Sequence, residues 1–352
     1  MEATEFFVRY IQQFLPTWLL LLLIRWNLKY LVGWRMRLGD AVVQQIACDR
    51  KERTTKPVTE LVEVTNEQLY ANDPDFFVGH LGPRLKYSAC EWPDGATLSD
   101  AEDLTIKIYQ EKAGLADLTP GSRVLELGCG WGSLSLANAE RFPKLQFVGF
   151  SNSPQQIGYI RDQAAKRGLT NLTVHVEDYA VFVDPSKSQA APGSTMLFDL
   201  AIAIETIEHA QNIRELLRAI GKRLIPGGRL FVQSLLHQTC SYVMGDTWMG
   251  RNFFTAGSIL SLNSYFHLTP PELHIIDMSP VNGIGYSKTL LAWLYLMEEK
   301  KGPFVSKYGT AFYEGFRMFY ISCAEAFAAN NGNEFMCGYY TFEKVATYGG
   351  RT

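Results

Sequence analysis

The sequence predicts an α/β fold: a doubly wound parallel sheet with helical additions. Three observations predict it. Arg123 to Leu127 is a short apolar run that ends in a glycine turn, Gly128-Cys129-Gly130-Trp131-Gly132, and an apolar helical run begins at Ser133. Strand-like and helix-like stretches then alternate as far as Ser234, the pattern of stacked βαβ units. The composition, 47% hydrophobic and 20% charged over 352 residues, is that of a globular chain with room for one enlarged domain.

The N-terminal stretch is apolar at Phe6, Phe7, Tyr10, Ile11, Phe14 and Trp18 and solidly so from Leu19 to Ile24. Arg9, Gln12, Gln13 and Pro16 interrupt it and Arg25 ends it, short of the roughly 20 apolar residues of a spanning helix. An acidic start (Glu2, Glu5) does not suit a cleavable leader. A helical pair packed on the main domain is the preferred reading. An interfacial membrane helix and a short anchor stay open, with Arg25, Lys29, Arg35 and Arg37 as the basic flank.

Gly39 to Lys56 reads as further helix, and Val58 to Phe77 as loop and helix broken at Asn72-Asp73-Pro74. The irregular segment from Gly82 to Trp92 has the content of a site-lining loop. Ser99 and Glu102 form a capping-box pattern for a helix reaching about Leu115. Strands are expected at 123–127, 146–150, 172–176, 200–204 and 229–234, with helices at 153–167 and 213–224 between them. Pro185 to Ser194 is a polar insert. Cys240 to Lys301 reads as aromatic-rich helices and loops over the ligand edge of the sheet, with helix from Lys288 to Lys300. A helix from Gly315 to Ala329, a turn at 330–333 and a last strand from Phe335 to Phe342 close the chain. The organisation that follows is a helical extension over 1–80, a ligand-binding core over 81–240, a helical lid over 241–314, and a helix and strand over 315–352 that complete the core.

A net charge of −3 does not suit a nucleic-acid binder. Six cysteines without a Cys-x-x-Cys or a paired His/Cys spacing argue against zinc and disulfides and for a reducing compartment, read as the cytoplasm with or without membrane association.

In such sheets, ligands bind beyond the carboxyl ends of the strands. The glycine turn lets the backbone approach a ligand, and Glu126 just ahead of it suits a cation better than a pyrophosphate. No Lys-Ser or Lys-Thr follows, so a phosphate-binding loop is excluded. The second strand supplies Ser151, Asn152, Gln155 and Gln156, with no acidic residue for ribose hydroxyls. The third supplies Glu177 and Asp178, the latter placed to accept from an adenine amino group. The fourth ends in Glu205-Thr206-Ile207-Glu208-His209, where helical spacing would put both carboxylates and the imidazole on one face. A metal site lacks a second His or Cys, and a structural cap stays open. The preferred reading is a base and charge-stabilising cluster that deprotonates and orients an amine. His237, at the end of the fifth strand, is a second candidate for the same pocket.

The turn resembles the nucleotide motif of S-adenosylmethionine-dependent methyltransferases. Tyr87-Ser88, the 126–132 turn, Ser151 to Gln156, Ile207-Glu208-His209, Pro226-Gly227-Gly228 and Phe253-Phe254-Thr255-Ala256-Gly257 occur in the order seen in the family of cyclopropane fatty acid synthases and coclaurine N-methyltransferases. Residues 15–38, Phe316 to Phe319 and Asn330-Asn331-Gly332 resemble the N-methyltransferase branch. The resemblance covers nearly the whole chain. It implies a class I methyltransferase, Rossmann-like, with S-adenosylmethionine as cofactor and no metal. It implies that Tyr87, Ser88, Gly128, Gly130, Ser151, Gln156 and Asp178 contact the cofactor, in a site that also takes in Glu126, Cys129, Asn152 and Glu177. By the same resemblance Glu205, Glu208 and His209 serve the amine. In the cyclopropane branch a cysteine that helps hold a bicarbonate follows Tyr-Ser; here that position is Ala89, with Cys90 one residue on. The expected activity is methyl transfer to a small molecule, an amine first and a thioether second, with lipid acyl-chain modification as the competitor. A homodimer is one assembly open to the chain.

Overall fold

The computed structural model describes residues 3–36, 54–58, 73–184, 196–245, 247–254 and 257–345. Helical turns from Ala3 to Phe14 lead into α1 (Thr17–Met36). Then follow α2 (Pro74–His80), α3 (Leu98–Lys112), β1 (Arg123–Leu127), α4 (Ser133–Arg141), β2 (Gln146–Ser151), α5 (Pro154–Lys166), β3 (Leu172–Val176), α6 (Tyr179–Val183), β4 (Phe198–Ile204), α7 (Ile213–Arg223) and β5 (Leu224–His237). Beyond them come β6 (Tyr242–Val243), α8 (Trp248–Asn252), β7 (Ser258–Ser261), α9 (Ser264–Leu268), β8 (Leu273–Val281), α10 (Ile284–Glu299), α11 (Lys301–Tyr308), α12 (Thr310–Gly332) and β9 (Phe335–Lys344).

The sheet is the expected doubly wound one. Strands β3, β2, β1, β4 and β5 lie side by side and parallel. β9 runs antiparallel along β5, and β8 antiparallel along β9. The order reverses between β1 and β4, which opens the crevice above the β1 glycine turn. Central strands are buried on both faces, so β1 and β4 read as solid apolar runs rather than alternating ones.

Two expectations need correcting. The stretch from Cys240 to Lys301 is not only helices and loops: β8 lies within it and pairs along β9 at the edge of the sheet, and β7 pairs with the end of β5. β8 is exposed or half-buried over most of its length, so it carries no apolar run to announce it. The cap of α3 is Thr97, not Ser99: Thr97 Oγ1 accepts from Asp100 N, and Asp100 completes the box. Glu102 points inward instead, fully buried, accepting from the backbone N–H groups of Arg84 at 2.9 Å and Lys86 at 3.3 Å. The 39–53 part of the helix expected over Gly39 to Lys56, most of Val58 to Phe77, and Pro185 to Ser194 lie outside the described residues.

The N-terminal helices pack on α12, as the preferred reading required. Leu20 and Val8 meet Met318, Gln12 Nε2 donates to the Glu314 carbonyl at 2.8 Å, and Arg25 pairs with Glu325. Phe14, Trp18, Leu22 and Trp26 face outward. Among the described residues no helix is long and apolar enough to cross a membrane.

Candidate active site

One cleft of about 1100 Å³, part of it open to solvent, lies over the carboxyl ends of β1, β2, β3 and β4. Every residue expected to hold the cofactor lines it: Tyr87, Ser88, Glu126, Gly128, Cys129, Gly130, Ser151, Asn152, Gln156, Glu177 and Asp178. Glu205 and His209 stand in the same wall.

The turn after β1 is built for close approach. Gly128, Gly130 and Gly132 have φ of +68°, +51° and +82°, a region that disfavours other residues. A Cβ on Gly130 would meet no protein atom within 4 Å; it would point into the space a ligand takes. Glu126 is buried, and burial pushes its carboxyl up to about 7, with the Ser135 hydroxyl, 2.5 Å away, donating to it. Beside the turn the buried Trp131 Nε1–H and Ser133 Oγ have no protein partner. A donor left unpaired in a dry wall is costly unless a ligand satisfies it. Ser151 Oγ donates to Gln156 Oε1 at 2.8 Å, which fixes the Gln156 amide. The cleft thus carries a buried carboxyl, unpaired donors and small polar side chains, a donor and acceptor set that fits S-adenosylmethionine.

Tyr87 is held from behind. His80 Nδ1 donates to the Phe76 carbonyl at 2.7 Å, so its Nε2 is left to accept from the Tyr320 hydroxyl at 2.6 Å. Burial lowers His80 to about 4, which keeps that nitrogen an acceptor. The Tyr320 phenol is in turn hydrogen-bonded to Tyr87.

After β4 the chain bends sharply. Glu205 has φ +47°, a left-handed conformation rare outside glycine and costing about 1–2 kcal/mol. Its Oε1 accepts from Ala89 N at 2.8 Å and from Gln233 Nε2 at 2.6 Å. Burial raises its carboxyl to about 7, against the pull of the Lys86 charge and these donors. The expected helical face does not form. A short 3-10 turn, Ile207–His209, replaces the α-helix, and α7 starts only at Ile213. Glu208 therefore sits behind the cleft wall and not in it. Its Oε1 accepts from Leu235 N at 2.5 Å, its Oε2 has no partner, and burial lifts it to about 8. His209 lies parallel to Phe254, its ring centroid 6.5 Å away, with Nδ1 unpartnered. Burial drops it to about 4, so the imidazole is neutral at physiological pH.

His237 is the expectation the structure overturns. It ends β5, yet it does not line the cleft. Its Nδ1 accepts from the backbone N–H groups of Thr239 and Cys240, and its Nε2 is 2.7 Å from the buried Glu334 carboxylate. Both nitrogens are engaged in fastening β5 to β9. Conversely, Lys86, Tyr109, Trp131, Ser133 and Thr206 line the cleft without having been singled out. A lysine inside the apolar, aromatic 82–92 loop was the one sequence signal available for Lys86.

Phe253 stacks on Phe319 at 4.4 Å, and Tyr87 lies against Trp293 at 5.4 Å.

Known proteins resemble the chain along most of its length. A (S)-coclaurine N-methyltransferase of Thalictrum flavum subsp. glaucum is 28% identical over 328 residues, covering 89% of this chain and 87% of the relative. A cyclopropane-fatty-acyl-phospholipid synthase of Escherichia coli K12 is 25% identical, over 76% of this chain and 65% of the relative. Among solved structures, a coclaurine N-methyltransferase bound to N-methylheliamine and SAH aligns with a TM-score of 0.86 at 24% identity, covering 97% of this chain and 99% of that one. The cyclopropane synthase MmaA2 of Mycobacterium tuberculosis aligns at 0.68 and 18%, covering 82% and 100%. The model of the mycolic acid cyclopropane synthetase family matches residues 59–335. The chain belongs to that family, and it is an S-adenosylmethionine-dependent enzyme of the methyltransferase class.

Proposed function

We propose that the enzyme transfers a methyl group to the amine nitrogen of a small molecule. The observation that carries this reading is the pairing, in the wall beside the cofactor turn, of a carboxyl near 7 with a neutral imidazole that has a free ring nitrogen. When bound, S-adenosylmethionine supplies an electrophilic methyl on a sulfonium. An ammonium has no lone pair to attack it and must first lose a proton. Glu205 draws the ammonium in as a carboxylate and takes that proton, because its pKa lies near the working pH. His209 offers an acceptor that stays uncharged and orients the N–H. Glu208, buried behind them and lifted to about 8, keeps a proton over much of the physiological range and so limits charge repulsion. The stacked lid keeps water from the transfer. The work of these groups is positioning and proton removal, which is most of what a methyl transfer asks of a protein.

Family relatives whose names specify N-methyltransferases support the amine. The free cysteines among the described residues suit the cytoplasm. A second reading, methylation or methylene transfer on unsaturated acyl chains at a membrane surface, draws on the outward-facing Phe14, Trp18, Leu22 and Trp26. Against it, the Ala89 position has no thiol, and its N–H and C=O are committed to Glu205 and Lys86. The test is transfer of isotope-labelled methyl to water-soluble amines and thioethers, in parallel with unsaturated phospholipid vesicles. Label in a soluble amine is expected; label in the lipid phase overturns the choice.

A further inference from the structure

Lys86 is 3% exposed, in the loop that carries Tyr87 and Ser88 into the cleft. An ammonium has three donors and no acceptor. All three are used: Nζ donates to Ser88 Oγ at 2.8 Å, to the Tyr109 hydroxyl at 3.1 Å, and to the Ala89 carbonyl. With its oxygen accepting from Lys86, the Tyr109 hydroxyl donates onward to Gln233 Oε1. Burial pushes the Tyr109 phenol well above its ordinary value, so it remains a donor. The Gln233 amide is thereby oriented with Nε2 toward Glu205 Oε1. The Tyr109 hydroxyl also reaches the Ala89 carbonyl at 3.2 Å; along the line Lys86, Tyr109, Gln233 each donor points toward the carboxylate.

We propose that Lys86 is a positioning residue for the transfer: through Tyr109 and Gln233 it orients Glu205 and holds it ionised, while its ammonium ties the 87–89 loop to the same network. The inference rests on the reading of Glu205 as the proton acceptor. The titratable groups facing Glu205 from the packed elements are Glu208, Cys90, Cys337, Tyr109, Tyr286 and Tyr339. None of these is cationic, so the positive charge of the set is that of Lys86, which also faces Glu102. The Lys86 charge pulls Glu205 toward its charged form against the burial that raises it.

The experiment titrates the Glu205 carboxyl by difference infrared spectroscopy, its band assigned by loss in Glu205→Gln, in the full-length wild type, Lys86→Met and Tyr109→Phe. The pH dependence of kcat is measured on the same proteins. Lys86→Met should raise the infrared midpoint by about one pH unit, move the acid limb of kcat by as much, and lower kcat at neutral pH about five-fold. In a Glu205→Gln background it should lower kcat no further. Tyr109→Phe keeps the lysine and should move the midpoint the same way by less. A midpoint unmoved in the variants that fold, as judged by circular dichroism, overturns the proposal. If Lys86→Met does not fold, Tyr109→Phe alone decides. A moved midpoint in an enzyme that methylates no amine would sink the functional reading and leave the positioning intact. Amine methylation with an unmoved midpoint would do the reverse.

Discussion

Glu126, in β1, and Glu205, just past the neighbouring β4, are the same chemical group, both buried and both raised to about 7. Their surroundings differ. Glu126 has one side-chain donor, the Ser135 hydroxyl. Glu205 has a backbone N–H, an amide and a lysine charge relayed behind it. The protein itself therefore stabilises the charge on Glu205 more than that on Glu126. On the proposed reading, one carboxyl serves the chemistry and the other the recognition of a cationic ligand.

The largest effect should come from the turn that both depend on. Gly130→Val places a branched side chain at φ +51° in the space where a ligand would lie. Binding of S-adenosylhomocysteine, followed by calorimetry, should fall by about a hundred-fold or more. Tight binding by a folded variant would show that the turn does not cradle the ligand.

Next comes the carboxyl prepared for chemistry. Glu205→Gln keeps the shape and loses the charge. It should lower kcat by about a hundred-fold with little change in cofactor affinity, the range of a lost general base. An equal loss in both quantities would place Glu205 in cofactor binding instead.

Glu126→Gln should invert that split. Cofactor affinity falls about ten-fold and kcat at saturation changes little. The sign of the pH dependence follows from the direction of the shift. Below about 7 the wild-type carboxyl is protonated, and a cationic ligand must displace that proton; above it the carboxylate is already present. Affinity should therefore rise with pH and level off above about 7, releasing a proton on binding in the lower range. Glu126→Gln should bind with a flat profile. A wild-type affinity independent of pH would mean that Glu126 does not meet the cationic end.

How much of this was legible in the sequence follows the same division. The recognition half is local: the glycine turn, Ser151 with Gln156, and Glu177 with Asp178 each sit at a strand end, and strand ends are readable from apolar runs. The chemical half is assembled from distant segments. Glu205 is held by residues 89 and 233, and the link between them runs through residues 86 and 109, a set no spacing rule joins. Helical periodicity misplaced Glu208 for a related reason. The chain after β4 closes a 3-10 turn, with three residues per turn, so the side chains that share a helical face diverge. β8 escaped notice because its register is set by β9, not by an apolar pattern of its own.

The smallest kinetic effect should come from the histidine that the sequence placed at the mouth and the structure places behind it. His237→Asn retains a side-chain acceptor for the Thr239 and Cys240 N–H groups but removes the partner of Glu334, which is 1% exposed. A buried carboxylate left unpaired costs about 3 kcal/mol, so the melting temperature should drop clearly. Turnover of the folded fraction should stay within about two-fold of wild type, because neither ring nitrogen is free to meet a substrate. Measured below the new melting point, an unchanged pH profile would confirm a fastening role between β5 and β9. A kcat loss of the size expected for Glu205→Gln, with stability intact, would instead put His237 in the proton path and require the lid to open a second face of the sheet.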